Sequence, residues 1–296
     1  EEKIYMEYYM QVLLNSIITG GIYGLIAVGY SMIYSILRFV NFSHGFVAMM
    51  GMYFTYALSV QLNLPFYIAV VGGIILTSLL GMLIERVAYR PLRDSFYLAP
   101  LVAVVGVAFF LESVALMIWG GGILSYDITT TSYSFWGLYI TNVQIGILIT
   151  LLVTVVSLFY LIEKTTIGQA IRATADDIKM ASLVGINSNR IVVVVFVLGS
   201  ALAAVGGTFL GLETNLQPTI GLSVTAKSFA AVILGGFGNI YGGLVGGLVL
   251  GFAENFGVTI LPTVWKDFIA FGVLFIVIYF KPSGLLAKRQ ERGGRY

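Results

Sequence analysis

SFAAVILGGFGNIYGGLVGGLVLGFA, residues 228–253, carries no charged side chain and holds eight glycines. The apolar segment around it runs over residues 222–261. Wound as one helix at 1.5 Å per residue it would reach roughly 60 Å, about twice a hydrocarbon core of ~30 Å. A single crossing does not accommodate it. Two short helices broken near Gly235–Gly242 do, and the glycines supply the break.

The rest of the chain has the same character. Of 296 residues, 58% are hydrophobic and 10% charged, with no cysteine, a single histidine and a net charge of +2. An ordinary globular domain carries about 25% charged residues, so this composition excludes a soluble enzyme and a disordered tail. With no Cys and only His44, thiol chemistry, a disulfide scaffold, a His-built metal site and a Ser-His-Asp triad are all excluded. The balance of charge gives no reason to expect a nucleic-acid partner. Uncharged stretches run from Tyr8 to Leu37, from Phe39 to Ile84 apart from His44, and over Ser95–Leu111, Ile128–Ile162 and Ile191–Leu212. They are continuously apolar rather than alternating, which predicts helices and not barrel strands. The expected fold is an all-α, polytopic integral membrane protein of about eight to nine transmembrane helices, in one transmembrane domain over residues 1–296.

Basic residues cluster in three islands: Arg86, Arg90 and Arg93; Lys164, Arg172, Lys179 and Arg190; and Lys281, Lys288, Arg289, Arg292 and Arg295. Short cytoplasmic loops are enriched in Lys and Arg, so all three islands and the C-terminus are expected in the cytoplasm. The Ser- and Tyr-rich stretch Ser125–Tyr139 is expected outside. Islands on one side are separated by an even number of crossings, which again requires two passes within 222–261. Tyr8–Leu37 is long for one span and contains Gly20-Gly21. It reads as one tilted or kinked helix, or as a surface segment followed by a span. The opening EEKIYM shows no signal-peptide pattern.

Gly242, Gly246, Gly247 and Gly251 have the spacing that lets membrane helices approach closely. GLSVTAKS, residues 221–228, falls short of a phosphate-binding loop because Ala226 replaces the second glycine, and GGFGNIYG lacks dinucleotide-fingerprint spacing. Ionisable groups within spans are costly and mark pathways or ion pairs. Glu112 and Glu254 are therefore candidates to line a polar path, with Glu213 and Lys227 expected at the outer mouth. Asn41, His44, Asn215, Gln217 and Asn255 are further polar candidates for such a path, and Asn41 or Ser43 also reads as a helix N-cap.

GQAIRATADDIKMASLVG, residues 168–185, differs from everything around it. Ile171, Ala175, Ile178 and Ala181 share one face of a short amphipathic helix, with Arg172, Asp176 and Lys179 on the neighbouring face. A membrane-surface helix would be more basic and aromatic. A docking helix for a soluble subunit is the sharper reading.

GIYGLIAVGYSMIYSILRFVNFSHG (21–45), ERVAYRPLR (85–93), IRATADDIKMASLVGIN (171–187), FAAVILGGFGNIYGGLVGG (229–247) and KPSGLL (281–286) resemble, in order and spacing, the permease subunits of ATP-binding-cassette importers for branched-chain amino acids. The resemblance implies a homologous second permease, two cytoplasmic ATPase subunits that bind the ATP and Mg, and an extracytoplasmic amino-acid binding protein. It implies a bacterial inner-membrane location and no cofactor in this chain. It also makes Arg172, Ala175, Asp176, Asp177, Lys179, Ala181 and Gly185, within 163–190, the ATPase-coupling loop. Permeases for urea or short amides share this architecture, and Ala175-Asp176-Asp177 is more similar to the amino-acid branch. Two other classes compete: a stand-alone ion-coupled carrier, which needs a working acid such as Glu112 or Glu254, and an intramembrane enzyme, which needs a catalytic set the sequence does not offer.

Overall fold

The computed structural model describes residues 2–92, 95–96, 98–135 and 137–286. Arg93, Asp94, Lys288, Arg289, Arg292 and Arg295, part of the basic islands, lie outside the described residues. Eleven helices and one short hairpin follow in the order α1 (Glu2–Leu37), α2 (His44–Tyr56), α3 (Phe66–Ile84), α4 (Ala99–Trp119), β1 (Ser132–Phe135), β2 (Leu138–Thr141), α5 (Asn142–Lys164), α6 (Thr166–Asp176), α7 (Ile178–Leu183), α8 (Ser188–Thr214), α9 (Ile220–Gly235), α10 (Ile240–Gly257) and α11 (Lys266–Phe280).

Among the described residues, six helices are long and apolar enough to cross a membrane. The segments Ile220–Gly235 and Ile240–Gly257 form a further bent pair, turning through 115° at a break of four residues. Taken as one span, the bent pair brings the number to seven. The expected eight to nine is slightly higher, because α9 and α10 count together and α2, at 13 residues, is too short to be counted alone.

Helix α1 is one continuous rod, which settles the two readings left open for the N-terminal segment. Gly20-Gly21 does not break it, because the first glycine is a contact point. A Cβ on Gly20 would lie 2.8 Å from the Leu248 Cα of α10. The two helices run antiparallel, with Gly251 against Gly20, Gly247 against Gly24 and Gly243 against Ala27. Gly242 and Gly246 face the other way, onto Gly235 and Ala231 of α9. Small residues on both faces of α10 thus let α1 and α9 approach it backbone to backbone, the packing that works where lipid gives no hydrophobic drive between helices. At the break, Gly236 (φ 104°) and Gly238 (φ 75°) hold left-handed conformations that side chains disfavour. The chain after α11 then covers the end of α9, with the Leu285 and Leu286 amides donating to the Leu234 and Gly235 carbonyls at 2.7 and 3.0 Å.

The core is built from α1, α2 and α8, whose facing residues Ile22, Ile26, Met49, Met52, Phe196 and Ala203 are buried. Helices α4, α5 and α11 are peripheral, and their outward faces expose Phe109, Phe110, Leu152, Val153, Phe275 and Tyr279. Such faces would be untenable in water over this length and suit contact with lipid or another membrane subunit.

Candidate functional site

The molecule has two chemically distinct ends. At one end, Gln11 of α1 pairs with both backbone groups of Tyr139 on the hairpin, at 3.0 and 2.9 Å. Leu124 bridges to Leu216 just past α8, and the Tyr126 hydroxyl donates to the Met52 carbonyl at 3.0 Å. Burial among Phe66 and Tyr56 pushes the Tyr126 phenol well above its ordinary pKa, so it remains a donor. Asn215 and Gln217 lie here, Asn215 exposed at the end of α8 with φ 68° and Gln217 half-buried.

The opposite end gathers basic residues. Helices α5 and α6 meet at Thr165, whose hydroxyl caps α6 by accepting from the Gly168 amide at 3.1 Å. Arg172 pairs with Glu163 at 3.5 Å and donates to the Ile162 carbonyl, while Tyr241 of α10 donates to Glu163 at 2.7 Å. Arg38, just past α1, donates to the Ala175 carbonyl at 2.7 Å. The segment 168–185 is thereby fixed to α1, α5 and α10.

The expected single amphipathic helix is two helices. Asp177 adopts an extended conformation, ends α6 and caps α7 by accepting from the Lys179 and Met180 amides at 2.7 and 3.0 Å. A carboxylate at an N-cap competes with helix continuation, and here the cap prevails. The break shifts the helical phase. Ile171, Thr174 and Ala181 are buried and Ala175 is half-buried, but Ile178 is exposed rather than sharing their face. Asp176 and Lys179 are exposed. Met180, Leu183 and Val184 project into solvent, Leu183 and Val184 with 80% and 77% of their surface exposed, ahead of Gly185 (φ 89°).

Between the ends, the chain after α1 re-enters the bundle. The His44 Nε2 lies 3.2 Å from the Ile26 carbonyl, so α2 begins twelve residues, roughly 18 Å, back along α1 from Arg38. Asn41 Oδ1 accepts from the Ser43 amide and hydroxyl at 3.2 and 2.7 Å and from the Tyr89 hydroxyl at 3.1 Å. Asn41 and His44 are thus brought together in a buried junction that ties the chain ahead of α2 to the bundle. His44 keeps a second ring nitrogen without a partner among the described residues.

Glu254 is fully buried on α10, and its carboxylate meets the Lys227 ammonium of α9 at 2.9 Å. Tyr23 of α1 donates to Glu254 at 3.1 Å and accepts from Lys227 at 3.2 Å, while Asp267 of α11 pairs with Lys227 at 3.1 Å. This cluster ties four helices together. Asn255 is apart from it, its amide donating to the Gly251 carbonyl one turn back. Glu112 is half-buried on α4 and makes no hydrogen bond or ion pair among the described residues. The seven polar candidates therefore occupy separate places: the junction, the hairpin end, the ion cluster, α4 and, for Asn255, α10 beside that cluster.

Sequence reasoning missed Tyr23, Tyr89 and Asp267. Tyr23 and Tyr89 are two of 18 tyrosines with nothing local to set them apart. It did not single out Leu183 and Val184, although an apolar pair after a charged amphipathic stretch and before Gly185 was a readable signal.

Among the described residues no group of three or more His, Asp or Glu side chains is placed to hold a metal ion. What the arrangement offers is a membrane bundle with a discontinuous helix pair, a re-entrant junction and a rigidly attached apolar tip at its basic end.

The chain is 38% identical over 296 residues to the high-affinity branched-chain amino acid transport system permease protein BraD of Pseudomonas aeruginosa, covering 95% of this chain and 96% of the relative. It is 36% identical to the permease protein LivH of Escherichia coli K12 at the same coverage. The solved structure of PsaBC from Streptococcus pneumoniae in complex with Fab shares the fold, with a TM-score of 0.57 over 95% of this chain and 96% of that one at 13% identity. Residues 12–278 match the family described as branched-chain amino acid transport system / permease component. The chain is a multi-pass membrane protein and belongs to that permease family.

Proposed function

We propose that this chain is one transmembrane half of an ATP-binding-cassette importer that carries branched-chain amino acids across the bacterial inner membrane. The observation that carries the reading is the tip of α7. Leu183 and Val184 stand in solvent on a helix pair locked to the bundle through Arg38, Glu163 and Arg172. Exposed apolar side chains on a braced element suit a protein partner, and the basic character of this end supports a cytoplasmic one. Two ATPase subunits, which bind the ATP and Mg, would push on α6 and α7. Arg38, Glu163 and Tyr241 would pass the displacement to α1, α5 and α10, opening the path alternately to each side. A homologous second permease supplies the other half of the path, and an extracytoplasmic binding protein delivers the amino acid. This chain needs no cofactor and binds no nucleic acid, and its C-terminus is cytoplasmic.

The pairing of Glu254 with Lys227 favours this reading over an ion-coupled carrier, because a carboxylate already matched by an ammonium at 2.9 Å is poorly placed to load and release a proton. The test is co-purification of the ATPase subunits together with a competition panel of leucine, isoleucine, valine, other amino acids and urea against reconstituted uptake. Retained ATPase binding by a Gly185→Trp or Ala175→Asp chain counts against the docking role. Uptake of urea in preference to leucine counts against the substrate.

A further inference from the structure

Two stretches of irregular backbone, residues 38–43 and 236–239, converge on one face of the bundle. The first climbs from the basic end to the depth of Ile26, and the second lies beside Tyr34 and Ser35. A chain of rings joins them: Phe42 to Phe229 at 5.6 Å, Phe229 to Phe237 at 5.9 Å and Phe237 to Tyr34 at 4.8 Å between centroids. Thr225 reinforces the contact by donating to the Phe42 carbonyl at 3.1 Å. Phe42 and Phe237 expose 38% and 41% of their surface.

The backbone argues against lipid on this face. The N–H groups of Phe39, Val40, Phe42, Phe237 and Gly238 find no acceptor among the described residues. Phe42 lies beside His44 at the depth of Ile26, where an unpaired amide costs several kcal/mol in hydrocarbon, so irregular backbone survives there only against protein or a water-filled cavity; Phe237 and Gly238 continue the same face to the basic end. An apolar aromatic lining over a polar, wet backbone fits a substrate that is itself an apolar side chain on a zwitterion.

We infer that Phe42, Phe229, Phe237 and Tyr34 line a water-accessible constriction in the cytoplasmic half of the path and contact the apolar side chain of the passing amino acid. This rests on the proposed function and adds the site at which the side chain is read. The chain has no cysteine, so Phe42→Cys and Phe237→Cys introduce unique thiols. The assembled complex is placed in lipid nanodiscs with both faces open and treated with a charged maleimide or with lipid-permeable N-ethylmaleimide, read on this chain's own band. The charged reagent is expected to label both positions, and leucine at ten times its half-saturating concentration is expected to slow that labelling about tenfold, as occupancy dictates. Labelling by N-ethylmaleimide alone, or a charged-reagent rate that leucine leaves unchanged, overturns the inference. If Phe42→Cys does not accumulate in membranes, Phe237→Cys on the glycine-rich turn carries the test. Leucine uptake by the unaltered complex in proteoliposomes reads the functional assignment separately, so failure of one is distinguishable from failure of the other.

Discussion

Lys227 and Glu254 illustrate how single residues are used where water is scarce. Each was visible in the sequence as a charge inside an apolar run, but their pairing was not, because it depends on α9 folding back beside α10. With Glu254 buried and Lys227 nearly so, removing the lysine alone strands a carboxylate. Lys227→Met is expected to lower stability by about 3–5 kcal/mol, and Lys227→Met combined with Glu254→Leu to recover a large part of the loss, measured by unfolding in detergent. Gly247 shows the opposite economy, since its value is the absence of a side chain. A Cβ there would meet the Gly24 backbone, so Gly247→Ala is expected to cost about 1–3 kcal/mol or more by the same measurement. The glycine spacing was legible. Which glycines face α1 and which face α9 was not, because adjacent glycines carry no signal of direction until the neighbouring helices are in place.

At the scale of elements, the break between α9 and α10 was readable from length and parity alone, since no other arrangement places the basic islands on one side. The coupling segment was half-readable. Its amphipathic character followed from the spacing of Ile171 and Ala175, but its division did not, because Asp177 was not read as a helix cap. The division matters because it shifts the phase of α7 and leaves the Leu183 and Val184 side chains largely exposed. Leu183→Glu is expected to leave the bundle intact and weaken capture of the ATPase subunits about thirtyfold, the loss of one interface anchor, as measured by binding of the purified ATPase. Arg38→Ala acts on transmission instead of capture. It is expected to keep ATPase binding and lower the ratio of leucine imported to ATP hydrolysed about tenfold, corresponding to one lost charge-assisted bond between α1 and α6. Equal loss of binding and uptake in Arg38→Ala would make that contact part of the docking surface.

The whole molecule is a bundle of full-length and short passes with its charge concentrated at one end and within one buried cluster. Scarcity of charge was the first thing the composition showed, and it predicted a membrane protein. What composition could not show is that helix gives way to irregular backbone at residues 38–43 and 236–239, and that both stretches open on one aromatic face. A bundle of this kind stores no chemical energy, so any directed transport has to be driven through the braced segment at the basic end. The most direct test is leucine uptake into proteoliposomes containing this chain, its homologous permease, the two ATPase subunits and the binding protein. The account predicts accumulation that requires ATP, the binding protein and the ATPases together; uptake that persists after the ATPase subunits are removed would contradict it.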